Sequence, residues 1–465
     1  MYNIISKDKD KFRNLGNSQQ FIMEQAREFI KPFTNYLYTK IDIRLVRTFA
    51  DAFIAILIHR NVSKGLLLSE LGSYIAGFEN AVSGTKRLSN LFRSEKWAQS
   101  DIEKVQLEGT KNQVAAWREA GHRVLGLIDD STIEKPESWF SEGLGAVYSS
   151  KSARLTRIKP GYYHKGSRVC VPGYEWSAMM ISGLTLIPIL GLMKWWAKRG
   201  KHKENRENVF YKMLKQINAT FGSTLTLVLD RGFANLPTLE RLFKCQQFFI
   251  IRWKSSNLLN DIGGNTKNTW RVCFKKKAMD KRVVWDKERK KTLKIEIIYA
   301  PVWHPEHIDN PLFLVVVRHK TIKGQQPMYL LTNVQIDSVG MAWEMFFSYI
   351  QRWDIEQAFR FNKSELGIQS IRLIIFENRL KMMALLTLVY QFLLQLWRNW
   401  HSAAFLIMKK WCPRSDKRLD NRRLPLYRLR LAIFALLLSV FIAFSEILRQ
   451  QKARTLQQLI TMGET

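Results

Sequence analysis

Apolar residues recur at helical spacing through the first hundred positions. Phe21, Ile22, Phe29, Ile30 and Phe33 share one face, and Leu45, Phe49, Phe53 and Leu57 another, so residues 18–97 are predicted to be helical. Two shorter segments, Ser63–Phe78 and Ser83–Trp97, flank a turn around Glu79–Ser83. The second carries Lys86, Arg87, Arg93 and Lys96. A short helix, a turn and a basic helix suit a helix-turn-helix-like DNA reader. A plain bundle with a solvated basic face is the alternative.

From about residue 120 short apolar runs replace the helical period. Val124–Ile128 ends in Asp129-Asp130, and Leu225–Leu229 ends in Asp230. Both runs predict buried strands with a carboxylate at the C-terminal tip, the end at which α/β sheets bind ligands. A helix over 236–246 follows. Strands are then expected at Phe248–Arg252, Val283–Trp285, Leu293–Tyr299, Leu312–Val317 and Met328–Thr332, with the very basic stretch Lys275–Lys294 among them. The helical period returns through Met341–Leu366 and Arg379–Trp397. A basic connector, Lys409–Arg430, leads to an apolar helix over 431–448.

Trp176–Met193, Met382–Trp397 and Leu431–Ser445 are apolar enough to suggest membrane spans. Gly183, Pro188 and Gly191 interrupt the first, and Gln391 and Gln395 the second. The third falls short of the ~20 residues a span needs. Buried core elements are the preferred reading, and no membrane partner is expected.

With 465 residues, 46% of them hydrophobic, the chain can bury two or more cores. Its 73 Lys and Arg against 40 Asp and Glu leave a net charge of +33. That balance argues against an ordinary metabolic enzyme and for a polyanionic partner, nucleic acid before an anionic membrane surface. Cys170, Cys245, Cys273 and Cys412 lie far apart without a C-x-x-C pair, so neither a zinc knuckle nor a disulfide framework is supported. Reduced thiols in a cytoplasmic protein are expected. The polar N-terminus lacks the apolar core of a signal peptide. His304-Pro305-Glu306-His307 offers only two imidazoles, and Pro305 marks a turn, so no zinc site is assigned.

The richest chemistry surrounds Glu356. Tyr349, Arg352, Glu356, Arg360 and Lys363 recur at helical spacing on one face, with Phe346, Ile350, Trp353 and Phe361 on a neighbouring face. Cations and a tyrosyl hydroxyl hold backbone phosphates and leave the carboxylate for a metal. A solvated face with Arg352–Glu356 and Glu356–Arg360 ion pairs is the alternative. Asp130, Asp230 and Glu356, brought to one sheet edge, would bind Mg²⁺ or Mn²⁺ through hard oxygens. Two such ions serve an in-line phosphoryl displacement without a Ser, Cys or His nucleophile.

The run YIQRWDIEQAFRFNKSELG matches Y-x2-R-x3-E-x6-K as Tyr349, Arg352, Glu356 and Lys363. LGLIDDST and TLVLDRGFAN look like the regions that carry a first and a second catalytic aspartate. Over about residues 120–400 the chain resembles the bacterial insertion-sequence transposases of the DDE type with this signature. The resemblance implies an α/β, ribonuclease-H-like catalytic core with a β-rich insertion between the second Asp and the Glu, plus helical N- and C-terminal regions. It divides the chain into a helical DNA-end-binding region (1–115), the first part of the core (116–235), the insertion (236–335), the second part with the Glu helix (336–400) and a basic, helical C-terminal region (401–465).

Residue by residue, it implies that Asp130, Asp230 and Glu356 form the catalytic triad and hold two Mg²⁺ or Mn²⁺ ions. Asp130 is preferred to Asp129 because Ser131 and Thr132 follow it, as hydroxyl residues do in the family; Asp129 then points to the opposite strand face or supports the ligands. Tyr349, Arg352 and Lys363 would grip phosphates near the cleaved end, Arg360 fills another basic position, and Arg252 would approach DNA from the insertion. Some relatives hold a flipped base with a Trp shortly before an L-L-T strand. Alignment on Leu330-Leu331-Thr332 places Met328 there, leaving Tyr329, Trp253, Trp285 and Trp303 as other candidates.

The implied activity is cut-and-paste transposition: strand cleavage, a hairpin intermediate and strand transfer. The implied partners are terminal inverted repeats, target DNA and a second copy of the chain, with helix 431–448 as a possible dimer contact. The implied location is the bacterial cytoplasm, at the nucleoid. A structure-selective nuclease of the same fold and a catalytically inactive DNA-binding relative are the rival readings.

Overall fold

The computed structural model describes residues 18–59, 66–136, 138, 140–149, 169–286, 291–319, 326–412 and 424–438. These residues divide into two compact units. One joins residues up to 105 with those from 360 onward; the other spans 106–359.

The first unit is helical. Its early helices are α1 (Ser18–Tyr38), α2 (Ile43–His59), α3 (Leu68–Ala76) and α4 (Ala81–Arg93). The periodic phenylalanines face inward as their spacing requires. Phe29, Phe53 and Phe392 form a mutual cluster with ring centroids 5.5 to 6.0 Å apart. Such aromatic contacts add to the free energy of area burial. Between α3 and α4 the chain turns at Gly77, whose φ of +86° favours glycine, and through a short 3₁₀ turn at Phe78–Asn80. The α3 and α4 backbones touch: a Cβ on Gly84 would lie 2.0 Å from the Gly72 carbonyl oxygen.

Helix α5 (Gln99–Glu119) and helix α9 (Trp353–Ser364) each contain a unit boundary. α5 lies largely in the region to residue 115 that was expected to be helical, although its buried apolar positions are sparse: Ile102, Leu107, Val114 and Trp117.

The second unit is built on a sheet of twelve described strands. They are β1 (Leu125–Glu134), β2 (Gly145–Tyr148), β3 (Cys170–Ser182), β4 (Ile189–Trp196), β5 (Thr226–Leu229), β6 (Phe248–Arg252), β7 (Leu258–Asn260), β8 (Thr266–Asn268), β9 (Asp280–Asp286), β10 (Lys291–His304), β11 (His307–His319) and β12 (Met328–Thr332). The order is β2-β3-β1-β5-β6-β12-β11-β10-β7-β8, with β4 on β3 and β9 on β10. β1, β5 and β6 are mutually parallel neighbours, and β3 runs antiparallel to β1.

Two helices, α6 (Arg206–Phe221) and α7 (Leu236–Lys244), cover one sheet face. Val209, Met213, Ile217 and Leu239 join Ile128, Leu227, Leu229 and Ile251 in its buried core. Helix α8 (Val339–Ile350) meets β5, β10 and β11 and buries Trp343, Met345 and Phe346 outside that cluster. The region from β6 to β12 therefore continues the same sheet. His304 and His307 end a tight hairpin, with Pro305 and Glu306 at the turn between β10 and β11.

The apolar stretch Trp176–Met193 is a β-hairpin, β3–β4, buried on both faces and not a span. The helices α10 (Phe376–Asn399) and α11 (His401–Trp411) and a helix over 426–438 complete the first unit. α10 is long and apolar enough to cross a membrane by length and composition, yet 83% of its apolar window is buried inside the protein. Its uniform apolarity reflects a helix surrounded by others. The single helix expected over Met341–Leu366 is broken, with Gln351 and Arg352 forming a turn between α8 and α9. Of the apolar segment 431–448, residues 439–448 lie outside the described residues, as do 287–290 of the basic stretch and 413–423 of the connector.

Candidate active site

Parallel register builds the floor of the site. Ile128 of β1 pairs with Leu229 of β5, and Leu229 pairs with Ile251 of β6. Ile128, Leu229 and Ile251 all point into the α6/α7 core. Side chains alternate along a strand, so the next residues, Asp129, Asp230 and Arg252, line up on the opposite face. Asp230 is fixed further: its carboxylate accepts the Gly232 backbone N–H at 2.7 Å and caps a 3₁₀ turn over Arg231–Phe233.

Arg352, in the α8–α9 turn, joins this row to the Glu helix. Its guanidinium contacts the Asp129 carboxylate at 2.8 Å and the Glu356 carboxylate at 2.5 Å. Both Arg352 and Asp129 side chains are about one-seventh exposed, whereas Glu356 is 31% exposed. Burial pushes the Asp129 carboxyl up to about 7; Arg352 pulls it back, and Asp230 and Asp130 push with burial. Tyr349, 5% exposed, closes the site under the same guanidinium, which lies 5.8 Å from its ring centroid. Burial also raises the Tyr349 phenol, opposed by Arg352 and Arg252. Its buried hydroxyl has no hydrogen-bond partner among the described residues.

Asp130 lies on the other strand face. There it forms an ion pair with Arg206, the first residue of α6. Arg206 also donates to the Gly232 carbonyl at 3.1 Å and stacks over Phe233 at 4.3 Å, tying Asp130 to the turn that holds Asp230. The alternation of β1 thus separates the two adjacent aspartates, and the one beside Asp230 and Arg352 is Asp129. The pattern contained a signal for this: both apolar runs are followed at once by an aspartate.

Two further residues escaped sequence reasoning. Arg206 belongs to a helix whose weak period gave no warning. Asp354, 6% exposed, accepts the Ser182 hydroxyl at 3.0 Å and anchors the start of α9 to the end of β3. Trp176 packs edge-on against Phe359 at 4.6 Å and seats the same helix. Arg360 is exposed and Lys363 half-buried, one and about two turns beyond Glu356 along α9. Among the flipped-base candidates, Trp253 is 2% exposed and buried in the core cluster, while Met328 and Trp303 are half-buried. The Trp285 side chain lies outside the described residues. His307 lies 3.9 Å from Glu240 and beside His304, and among the described residues these do not form a group that could hold a metal ion.

Asp129, Asp230 and Glu356 offer the hard oxygens that divalent ions require. Burial first, and then the neighbouring Asp230 and Asp130, disfavour charge on Asp129, a condition a bound cation would relieve. The donor chemistry therefore fits. Among the described residues, however, no three acidic, His or Cys groups close into a ready metal cage. Arg352 stands as the cation between Asp129 and Glu356.

Residues 196–392 match the family model of the transposase DDE domain. That segment contains Asp230, Arg252, Tyr349, Arg352, Glu356, Arg360 and Lys363 and begins after β1. The similarity supports a DDE transposase, a class of enzyme that cleaves and transfers DNA. No curated protein matches the chain. Among solved structures it is similar to a piggyBac transposase synaptic complex with hairpin DNA, at 14% identity and a TM-score of 0.39, over 91% of this chain and 80% of that one.

Proposed function

We propose that this chain is a cut-and-paste DNA transposase of an insertion sequence, acting by divalent-metal phosphoryl transfer. The observation that carries the reading is the row of strand ends, Asp129, Asp230 and Arg252, facing Tyr349, Arg352 and Glu356 within one unit. The strand order β4-β3-β1-β5-β6, antiparallel on one side of β1 and parallel on the other, supports a ribonuclease-H-like core.

Asp230, Glu356 and an aspartate of β1 would hold two Mg²⁺ or Mn²⁺ ions. The family resemblance favours Asp130 for the third place; the register favours Asp129, and Asp129 is our assignment. When bound, the ions supply activation of an attacking hydroxyl and stabilisation of the leaving oxygen. The chain's own side chains do the rest. Arg352 neutralises the acidic cluster before ions arrive and, with Arg252, presents guanidinium donors to a phosphate. The Tyr349 hydroxyl is available as a further donor. Arg360 and Lys363 continue the cationic row along α9 and would hold the backbone of the cleaved end. Cleavage at each end, a hairpin and strand transfer would follow in a homodimer on paired inverted repeats, in the bacterial cytoplasm.

The test is incubation with DNA carrying the flanking element ends and Mg²⁺ or Mn²⁺. Nicked, hairpin and strand-transfer products are expected, and Glu356→Gln should abolish all three while end binding persists. Cleavage without end selectivity or strand transfer would favour the nuclease reading. Cleavage by Glu356→Gln at the parental rate would reject the triad.

A further inference from the structure

The β7–β8 hairpin follows closely on Arg252 in the chain, yet no step assigned to the active site uses it. The Asn257 side-chain amide donates to the carbonyl of Ala234 at 3.3 Å, and Ala234 closes the turn that Asp230 caps. The Thr269 backbone N–H and hydroxyl both donate to the Asn257 carbonyl, each at 2.8 Å. The hairpin is therefore rooted at the strand ends that carry Asp230 and Arg252.

Its tip is held still. The Asp261 carboxylate accepts the Gly263 and Asn265 backbone N–H groups, each at 3.0 Å, and pairs with Lys267. Gly264, with a φ of +75°, completes the turn. Leu259 is fully buried and fastens β7 to the core cluster. Its neighbours Leu258 and Asn260 point the other way, opposite Asn268 and Thr266 of β8. The outward face thus presents two amides, a hydroxyl and Leu258, with Ile262 at the tip and no charge. Ile262 is 79% exposed and Leu258 49%. The segments on either side of the hairpin carry exposed Lys254, Arg271, Lys275, Lys276 and Lys277. Asp261, already paired, is the single acid between residues 254 and 277. Arg318 fixes the lysine loop by donating to the carbonyls of Cys273, Phe274 and Lys276.

We infer that this hairpin is a wedge for the target duplex: its aliphatic tip enters a groove and opens a base step while the flanking cations hold the phosphates. The inference rests on the transposase reading above. A single exposed aliphatic is ordinary, but two on one uncharged face of a rigid hairpin, set between cations, call for a partner. Duplex DNA fits both parts, since phosphates take the cations and inserted aliphatic side chains part base steps and bend the helix. A ribbon rising about 3.3 Å per residue carries Ile262 roughly 15 Å beyond Asn257, the length of about four base pairs. Such a wedge reads deformability and not base identity, because pyrimidine–purine steps open most easily. That suits a target met in many sequences, whereas the element end has a fixed sequence and, in the reading above, its own cationic row along α9.

The test uses the full chain and Mg²⁺, with pre-cleaved element ends and a plasmid target in one arm and uncleaved ends in the other. Ile262→Ser should lower strand transfer at least about tenfold and leave cleavage within about twofold of the parent. Joints made by the parent should favour pyrimidine–purine steps about four base pairs from the joining phosphate, and those made by the variant should not. A target duplex with a mismatch at that step opens without a wedge and should restore transfer by the variant, a rescue that a merely structural role would not give. Lys275→Ala, Lys276→Ala and Lys277→Ala combined should weaken target capture and lower its salt slope by up to about three ions, with the step preference kept. Ile262 is exposed, so Ile262→Ser should melt at the parental temperature. Parental transfer and step preference in Ile262→Ser overturn the inference, as do an equal loss of cleavage and transfer or a failure of the mismatch to rescue. If the parent itself neither cleaves nor joins element ends, the transposase reading falls instead.

Discussion

Replacing Asp129 by Asn should stabilise the metal-free protein increasingly as pH rises above 4, and to the full extent above 7. The folded-state pKa of Asp129 stands near 7, against an ordinary 3.8, because burial and the neighbouring Asp230 and Asp130 disfavour its charge. Below pH 4 the group is protonated in both folded and unfolded chains and has no effect. As pH rises from 4 to 7 the unfolded chain releases the proton and the folded one retains it, so stability falls. Above 7 the loss is complete, at most about 4 kcal/mol. Asn cannot ionise, still offers Arg352 an oxygen, and removes that loss. Urea or thermal unfolding in chelator, at pH 4 and pH 8, measures it: parent and variant should match at pH 4 and diverge at pH 8, with the variant more stable. Mg²⁺ should stabilise the parent at pH 8 by mass action and the variant far less. The reasoning fails if parent and Asp129→Asn are equally stable at pH 8, or if Asp129→Asn is both unstabilised and fully active.

Ser182→Ala removes a donor from the buried Asp354 carboxylate and should cost about 1–3 kcal/mol, read as a lower unfolding midpoint with slower cleavage as α9 loses its anchor. Gly84→Ala forces apart two backbones in contact and should lose more than about 2 kcal/mol together with selective end binding; a neutral result would mean that α3 and α4 can separate freely. Lys363→Ala should weaken engagement of a pre-cleaved end several-fold more than of unrelated duplex, and equal losses on both would remove Lys363 from the end-gripping row. Arg206→Ala should raise the Mg²⁺ concentration needed for half-maximal cleavage, because Asp130 and the Asp230 turn lose their common tie; an unchanged requirement shows that tie to be dispensable.

Local chemistry made much of this protein legible in one dimension. Apolar runs that end in aspartate read as strands with acidic tips, and a net charge of +33 reads as suited to a polyanionic partner. The strands expected from Phe248 to Thr332 all form, and the spacing of Tyr349, Arg352, Glu356 and Lys363 marked the helical region that carries the site. What the sequence left open depended on pairing between distant segments. Asp129 and Asp130 are chemically identical neighbours; only the registration of Ile128 with Leu229 sends one toward Asp230 and Arg352 and the other toward Arg206. The break at Gln351–Arg352 was hidden because helical spacing runs straight through it, and the turn lets one guanidinium reach both Asp129 and Glu356. Side-chain identity fixes which groups are available. Strand register and helix ends fix which of them share a face, because that choice is made by hydrogen bonds between segments far apart in the chain, 223 residues in the case of Arg352 and Asp129.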